Sequence, residues 1–172
     1  SFSDTSFLLS ILKARESDLL AALALSLHTK KKQGKSFYEA WMFEESDTIQ
    51  AVSQAYADRV VFESCINLLK TCDKALKPIL EKLFVLSACD WIALDLGYFV
   101  THKLLTNKMG RRLVEYIQEL CADLGPHAVS LIEAFGIPQH MRHAPIANDW
   151  GKYNETDNFG ELISDLQNKS KA

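Results

Sequence analysis

Helical spacing of apolar residues runs through most of this 172-residue chain and constrains its fold more than any other feature. Residues 7–33 show it first, with leucines and isoleucines three, four or seven positions apart: Leu8, Ile11, Leu12, Leu19, Leu23 and Leu27. Such steps place side chains on one face of an α-helix. The sequence has no segment in which apolar and polar residues alternate between hairpin turns, as strands require. The chain is therefore predicted to be all-α.

Glycines and prolines are few, and the segments between them predict the remaining helices. The first of these is a short aromatic-rich piece at residues 36–44. Three longer helices are predicted at residues 47–71, 73–100 and 106–124, and a shorter helix at residues 127–135. Segment 73–100 is apolar almost all round, as in the central helix of a bundle, and Gly97 near its end allows a bend or a close helix crossing. We expect one domain over residues 1–172: an antiparallel bundle of four or five long helices with an irregular C-terminal tail at 144–172.

The second long helix is predicted to bury a stripe spaced like that of the first: Ile49, Val52, Tyr56, Val60, Ile66 and Leu69. Arg59 and Glu63 stand four residues apart and are expected to pair on the opposite side of this helix. Such a pair contributes only tenths of a kcal/mol where it is exposed.

The charge balance of the chain excludes one class of partner. Its 19 basic and 22 acidic residues give a net charge of −3, without the basic excess that duplex-binding domains use to neutralise phosphates. The lysine run 30–32 precedes Gly34 and is interpreted as a cationic helix end. Phosphate or membrane-surface binding by these lysines is the less favoured alternative. We predict no nucleic-acid partner.

Apolar runs in the sequence are all shorter than the ~20 residues that a bilayer-spanning helix needs. The longest, residues 83–100, is interrupted by Asp90 and Asp95, so no membrane span is predicted. Four scattered cysteines and no secretory signal at the front predict reduced thiols in an intracellular compartment. The chain starts at Ser1 without a methionine, which we interpret as processing or as a piece of a longer protein.

A search for catalytic motifs in the sequence is mostly negative. Phosphate-binding glycine loops, H-E-x-x-H, E-x-x-H pairs and G-x-S-x-G elbows are missing from it. His140 and His143 have a spacing that can share a metal, but a polar turn after Pro138 is the favoured interpretation. Asp90 and Asp95 are expected to pair, to cap, or to line a site. We predict no catalytic, cofactor-binding or metal-binding residue in this chain, and a small metalloenzyme is the least favoured alternative.

Residues 131–162 resemble the closing segment of peroxisomal acyl-CoA oxidases, with an AFGIP…APIA…Y signature. The matching positions are Ala134, Phe135, Gly136, Ile137, Pro138, Ala144, Pro145, Ile146, Ala147 and Tyr153. Three earlier pieces agree with the family in order. Residues 9–20 contain an Arg-Glu followed by paired leucines, residues 34–41 correspond to a linker, and residues 55–63 contain an Ala-Tyr followed by Arg and Val-x-Glu. The chain is similar to the C-terminal domain of this family over nearly its whole length.

The resemblance implies a flavoenzyme like the acyl-CoA dehydrogenases, with a helical domain appended. In that family a glutamate takes the α-proton of a fatty acyl-CoA while the β-hydride passes to FAD. Oxygen then reoxidises the flavin, giving H₂O₂ and trans-2-enoyl-CoA in fatty-acid β-oxidation. The glutamate and most flavin contacts belong to preceding domains, so FAD is expected in the parent enzyme and this chain alone is expected to be inactive. The peroxisomal location rests on the family, because the terminal Ser170-Lys171-Ala172 departs from Ser-Lys-Leu at its last position.

By the same resemblance, the domain takes the place that a second pair of subunits fills in tetrameric dehydrogenases. It is expected to buttress the flavin domain and to help a homodimer form. The expected contact surface consists of aromatic residues, for which ordinary packing is the alternative: Phe37, Tyr38, Trp41, Trp150 and Tyr153. A free-standing helical scaffold or interaction protein derived from such a domain is the alternative function.

Overall fold

The computed structural model describes residues 1–147, 150, 151 and 155, and these residues form helices and turns without a β-strand. The α-helices are α1 (Thr5–Lys32), α2 (Phe37–Glu39), α3 (Ser46–Leu68), α4 (Lys77–Leu94), α5 (Leu96–Thr101), α6 (Asn107–Leu124) and α7 (Ala128–Glu133). A π-helical turn spans Ala40–Glu44, and 3-10 helices span Gly125–His127, Gln139–Met141 and Pro145–Ala147. The predicted all-α fold is confirmed.

Two compact units divide the chain, residues 1–126 and residues 127–172. In the first unit α1 packs on α3, α3 on α4, and α4 on α6. Ion pairs from Lys13 to Glu63 and from Lys82 to Asp123 join the first part of one helix to the last part of another. The pairs α1–α3 and α4–α6 are therefore antiparallel, as expected for the bundle. That residues 1–172 form one domain stays a prediction.

The core of the first unit draws on all its main helices. Five of its large side chains have no exposed surface: Leu8, Phe62, Ile92, Phe99 and Leu113. Each such burial contributes roughly 1.5–3 kcal/mol. In α6, Leu113 and Leu120 are buried and Ile117 is half-buried, whereas Arg111, Arg112, Glu115 and Glu119 are exposed.

Three helix ends are set by local features of the sequence. The Asp4 side chain accepts a hydrogen bond from the Ser6 backbone N–H at 2.9 Å, which caps α1. Thr106 caps α6 in the same way, accepting from the Met109 backbone N–H at 3.2 Å. Gly34 follows the end of α1 with a φ of +84°, a conformation that glycine adopts without strain.

Two details of the predicted helices are wrong. The predicted helix 73–100 is interrupted at Asp95, where the backbone (φ −122°, ψ 34°) leaves the α-helical region and separates α4 from α5. The bend thus lies two residues before Gly97. In α3, Tyr56 is 55% exposed, because the buried face instead contains Ala55, Asp58 and Phe62.

Arg15 of α1 is a buried charge that pairs with a residue at the break and with a residue of the buried face of α3. Its guanidinium donates to Asp58 of α3 at 3.1 Å and pairs with Asp95, at the break after α4, at 2.8 Å. Gln54 donates to the other oxygen of Asp58 at 2.6 Å. Arg15 and Asp58 are 6% and 5% exposed. Since a buried charge is costly unless it is paired, these contacts hold three segments of the chain in one alignment.

A second contact between α1 and α3 repeats the first with the charges reversed. Arg59 holds both oxygens of Glu16, at 2.7 and 3.0 Å, and donates to Glu63 at 3.1 Å. The predicted pairing of Arg59 with Glu63 is confirmed, but Arg59 also contacts α1. The hydrogen bonds from Arg59 lower the pKa of Glu16.

The end of α1 is tied to the start of α3 by a group that we call the clamp: Ser26, Lys30, Lys35, Glu44 and Glu45. Lys30 pairs with Glu45 and, at 3.2 Å, with Glu44, whereas Lys35 pairs with Glu44. The Ser26 hydroxyl donates to Glu45, which is only 7% exposed. These bonds, that from Lys30 above all, lower the pKa of Glu45 to about 2. The clamp fixes the connection between the two helices.

Replacement of Asp58 by alanine is expected to lower the free energy of unfolding by about 3 kcal/mol, because it leaves Arg15 buried without one of its partners. Chemical denaturation measures this value. Lys82→Ala, which removes the exposed pair with Asp123, is the matched control and should cost less than about 1 kcal/mol. Equal losses in the two variants would contradict the structural role of Arg15.

The clamp also predicts a pH dependence. An unfolded glutamate titrates near pH ~4.3, and the folded pKa of Glu45 is about 2. The contribution of Glu45 to stability is therefore complete above the unfolded pKa and is lost as the pH falls towards 2. Urea unfolding of the wild type and Glu45→Gln should show a difference at pH 7 that shrinks between pH 4.5 and 3. A difference independent of pH would exclude this role of Glu45.

Candidate functional site

The connection between α1 and α3 exposes a group of large apolar side chains that we call the aromatic turn: Phe37, Tyr38, Trp41, Met42 and Phe43. Phe37 and Phe43 are 68% and 72% exposed. The prediction of Phe37, Tyr38 and Trp41 as surface aromatics agrees with their exposure. The expected contact surface did not include Met42 or Phe43, although Phe43 belongs to the predicted aromatic-rich piece 36–44 and both residues adjoin Trp41. Contiguous apolar surface of this kind marks interaction sites in folded proteins.

The backbone of the aromatic turn is held by local hydrogen bonds. Ser36 caps α2 by accepting from the Glu39 backbone N–H at 3.1 Å, and Glu39 accepts from the Ser36 backbone N–H at 3.2 Å. This reciprocal capping box satisfies two N–H groups of a helix too short to be stable alone. The π-helical turn follows, with Ala40 buried beneath it at 3% exposure. Turns of this class are frequent at functional sites.

The rings of the aromatic turn are arranged in two pairs. Phe37 and Trp41 lie 5.3 Å apart between ring centroids at 31°, whereas Tyr38 and Phe43 lie 5.8 Å apart in an edge-to-face arrangement at 83°. Both separations lie in the range in which aromatic rings attract each other.

Residues 127–147 of the second unit form another apolar surface. The helix α7 and the segment after it expose six large apolar side chains: Val129, Ile132, Phe135, Ile137, Met141 and Ile146. Arg142 donates two hydrogen bonds, of 3.1 and 2.9 Å, to the carbonyl oxygen of Ile137. Gly136, with a φ of +62°, makes the turn before that carbonyl. The predicted helix 127–135 is shorter than expected, because α7 ends at Glu133.

Of the two tail aromatic residues expected in the contact surface, the structure describes one. Trp150 is 61% exposed, in agreement with a contact surface. Tyr153 lies outside the described residues, as does most of the tail.

The residues singled out for chemistry do not come together. Asp90 is exposed, Asp95 pairs with Arg15, and His140 and His143 are exposed in or beside a 3-10 helix. In the described part of the chain, no three histidine, cysteine or acidic side chains are placed to hold a metal ion. None of the described helices is long and apolar enough to span a membrane.

The cysteine side chains carry no disulfide. Cys65 and Cys72 are half-buried, Cys89 is buried and Cys121 is exposed. Burial raises the pKa of the Cys89 thiol to about 12 and also raises that of Cys65. Both thiols are thus held in the protonated form, which is a poor nucleophile.

Comparison with known proteins finds one family model and several relatives, all of them acyl-CoA oxidases or acyl-CoA oxidase-like by name. The family model for acyl-CoA oxidase matches residues 4–155. Peroxisomal acyl-coenzyme A oxidase 1 of Cavia porcellus is 30% identical over 126 residues, covering 73% of this chain and 19% of the relative. The acyl-coenzyme A oxidase-like protein of Mus musculus is 26% identical over 141 residues, covering 81% and 22%. The chain thus spans about a fifth of the length of these relatives.

Peroxisomal acyl-coenzyme A oxidase 1 of Rattus norvegicus agrees, with 30% identity over 124 residues that cover 72% of this chain and 19% of the relative. The family match includes α1 to α7, the clamp and the aromatic turn. The resemblance inferred from four short sequence pieces is confirmed. The chain belongs to the acyl-CoA oxidase family.

Proposed function

We propose that this chain is the C-terminal helical domain of an FAD-dependent acyl-CoA oxidase, and that it supports the flavin domain and the dimer without contributing catalytic residues. The parent reaction is the oxidation of a fatty acyl-CoA by O₂ to trans-2-enoyl-CoA and H₂O₂. The observation that carries the proposal is the exposed aromatic turn in a chain that matches the family over residues 4–155. The names of two relatives support a peroxisomal location.

The aromatic turn has the properties of a protein-binding surface. Aromatic anchors supply much of the energy of protein interfaces, and their contribution is larger when they are held in place before binding. The ring pairs and the clamp provide such preorganisation. The preceding flavin domain is the partner that we assign to it.

Two cavities in the first unit support the assignment of FAD to other domains. They measure about 300 and 500 Å³ and are lined by cationic and aromatic side chains, including Arg112 and Tyr116 in one and Lys31 and Phe37 in the other. Neither lining contains glycine, so neither offers the close backbone approach that cradles a dinucleotide pyrophosphate. We assign these residues no step of the oxidation.

The isolated 172-residue chain is expected to purify without flavin and to form no H₂O₂ from acyl-CoA and O₂. Visible absorbance and a peroxide assay measure both properties, and a full-length relative serves as the positive control. Stoichiometric flavin in the isolated chain would contradict the proposal.

In the polypeptide that carries the flavin domains, the double variant Phe37→Ala/Phe43→Ala is expected to release FAD at lower temperature, because the support of the flavin domain is weakened. Hot-spot truncations of this kind cost roughly 2 kcal/mol each in binding. Flavin fluorescence during heating measures the release. Leu94→Ala, at a side chain 80% exposed but outside the turn, is the matched control. Release of FAD at the same temperature from both variants would show that the aromatic turn does not contact the flavin domain.

A further inference from the structure

A cavity of about 500 Å³ lies between the C-terminal part of α1 and the residues that follow this helix. We call it the α1 cavity. Proteins bind small molecules in cavities of about 300–1,000 Å³, so its volume suits such a ligand. Among the described residues, its lining consists of the following: Leu27, His28, Lys31, Lys35, Ser36, Phe37 and Ala40.

Basic side chains supply the charge of this lining. His28 and Lys31 are exposed and stand three residues apart, which places them on one side of α1. Within the part of the chain that the structure describes, neither side chain forms an ion pair or a hydrogen bond. Lys35 pairs with Glu44, and its ammonium keeps further N–H donors. The described lining contains no acidic residue, so these donors are available to an anion.

The rest of the lining is apolar or already paired. Ala40 is buried, whereas Phe37 is exposed and its ring packs on Trp41. The Ser36 hydroxyl donates to the Glu39 carboxylate at 2.8 Å and accepts from the Glu39 backbone N–H. An exposed ring beside cationic groups offers a surface on which a flat or apolar part of a ligand packs. The lining thus combines a charged side with an aromatic side.

We propose that the α1 cavity binds a small organic phosphate, with the phosphate group on Lys31, His28 and Lys35 and the organic part on Phe37. A phosphate ester carries a charge of about −1.5 to −2 at pH 7 and three acceptor oxygens, so it uses donors from three side chains at once. A carboxylate carries a single charge and matches this set of cations less well. Lysine binds phosphate as a point charge and needs no glycine loop. The inference does not rest on the proposed function.

The cationic end of α1 does not by itself account for this arrangement. Cations near the last carbonyl oxygens of a helix are stabilising, and Lys30, Lys31 and Lys32 all lie in the last turn of α1. Of these three lysines, Lys30 belongs to the clamp and Lys31 lines the cavity, whereas Lys32 does neither. Lys32 is therefore the matched control for Lys31, because its removal changes the charge of the helix end equally but leaves the cavity intact.

An NMR titration of the 172-residue chain with phenyl phosphate tests the proposal. In a buffer free of phosphate and sulfate, the wild type is expected to bind one equivalent with a Kd below about 1 mM. Lys31→Ala should raise the Kd at least about tenfold, whereas Lys32→Ala should change it less than about twofold. Circular dichroism checks that both variants keep their helices. Phe37 also belongs to the aromatic turn, so the titrations use the 172-residue chain, in which that turn is exposed.

A comparison with inorganic phosphate tests the role of the ring. Phe37→Ala should weaken the binding of phenyl phosphate at least about fivefold, because the variant loses the surface on which the phenyl group packs. The same variant should leave the Kd of inorganic phosphate within about twofold of the wild-type value. Equal weakening of the two ligands would contradict the contact between the organic part and Phe37.

Three results would overturn the inference: a wild-type Kd above about 1 mM, equal losses in Lys31→Ala and Lys32→Ala, or binding to phosphatidylserine vesicles without binding of phenyl phosphate. The last result would assign the lysine run 30–32 to a membrane surface instead. Flavin release from variants of the aromatic turn measures the proposed function, so either proposal can fail without the other.

Discussion

The ion pairs of Arg15 with Asp58 and Asp95 are the constraint on which the rest of the first unit depends. A buried guanidinium is tolerated only where carboxylates reach it, and here they come from α3 and from the break between α4 and α5. Apolar contacts alone tolerate sliding of one helix along another, whereas these pairs do not. Glu16 and Arg59 repeat the contact with reversed charges, so the alignment of α1 with α3 is fixed twice.

This alignment determines which surfaces remain for partners. Arg15 holds α1 on α3, and the C-terminal end of α1 meets the start of α3 at the clamp. The aromatic turn lies in the connection between these two helices, next to the clamp in sequence, and is exposed. The exposed apolar side chains of this turn are the feature on which the proposed support role depends.

The helices could be predicted because their signals are local: the spacing of Leu8, Ile11 and Leu12, and the caps at Asp4 and Thr106. The break at Asp95 could not, because the ion-pair partner of Asp95 is Arg15, 80 positions earlier in the sequence. Asp58 was missed for the same reason, and with it the outward orientation of Tyr56. The exposure of the aromatic turn followed from the family resemblance rather than from periodicity, since aromatic residues are more often buried than exposed.

The central claim is that this chain serves as a support domain within a longer flavoenzyme. The most direct measurement is the intact mass and absorption spectrum of the native polypeptide, captured from its source with an antibody raised against residues 1–126. The account predicts a polypeptide several times longer than 172 residues, with bound flavin and with peroxide formation that depends on acyl-CoA. A native polypeptide of 19.4 kDa without flavin would contradict it.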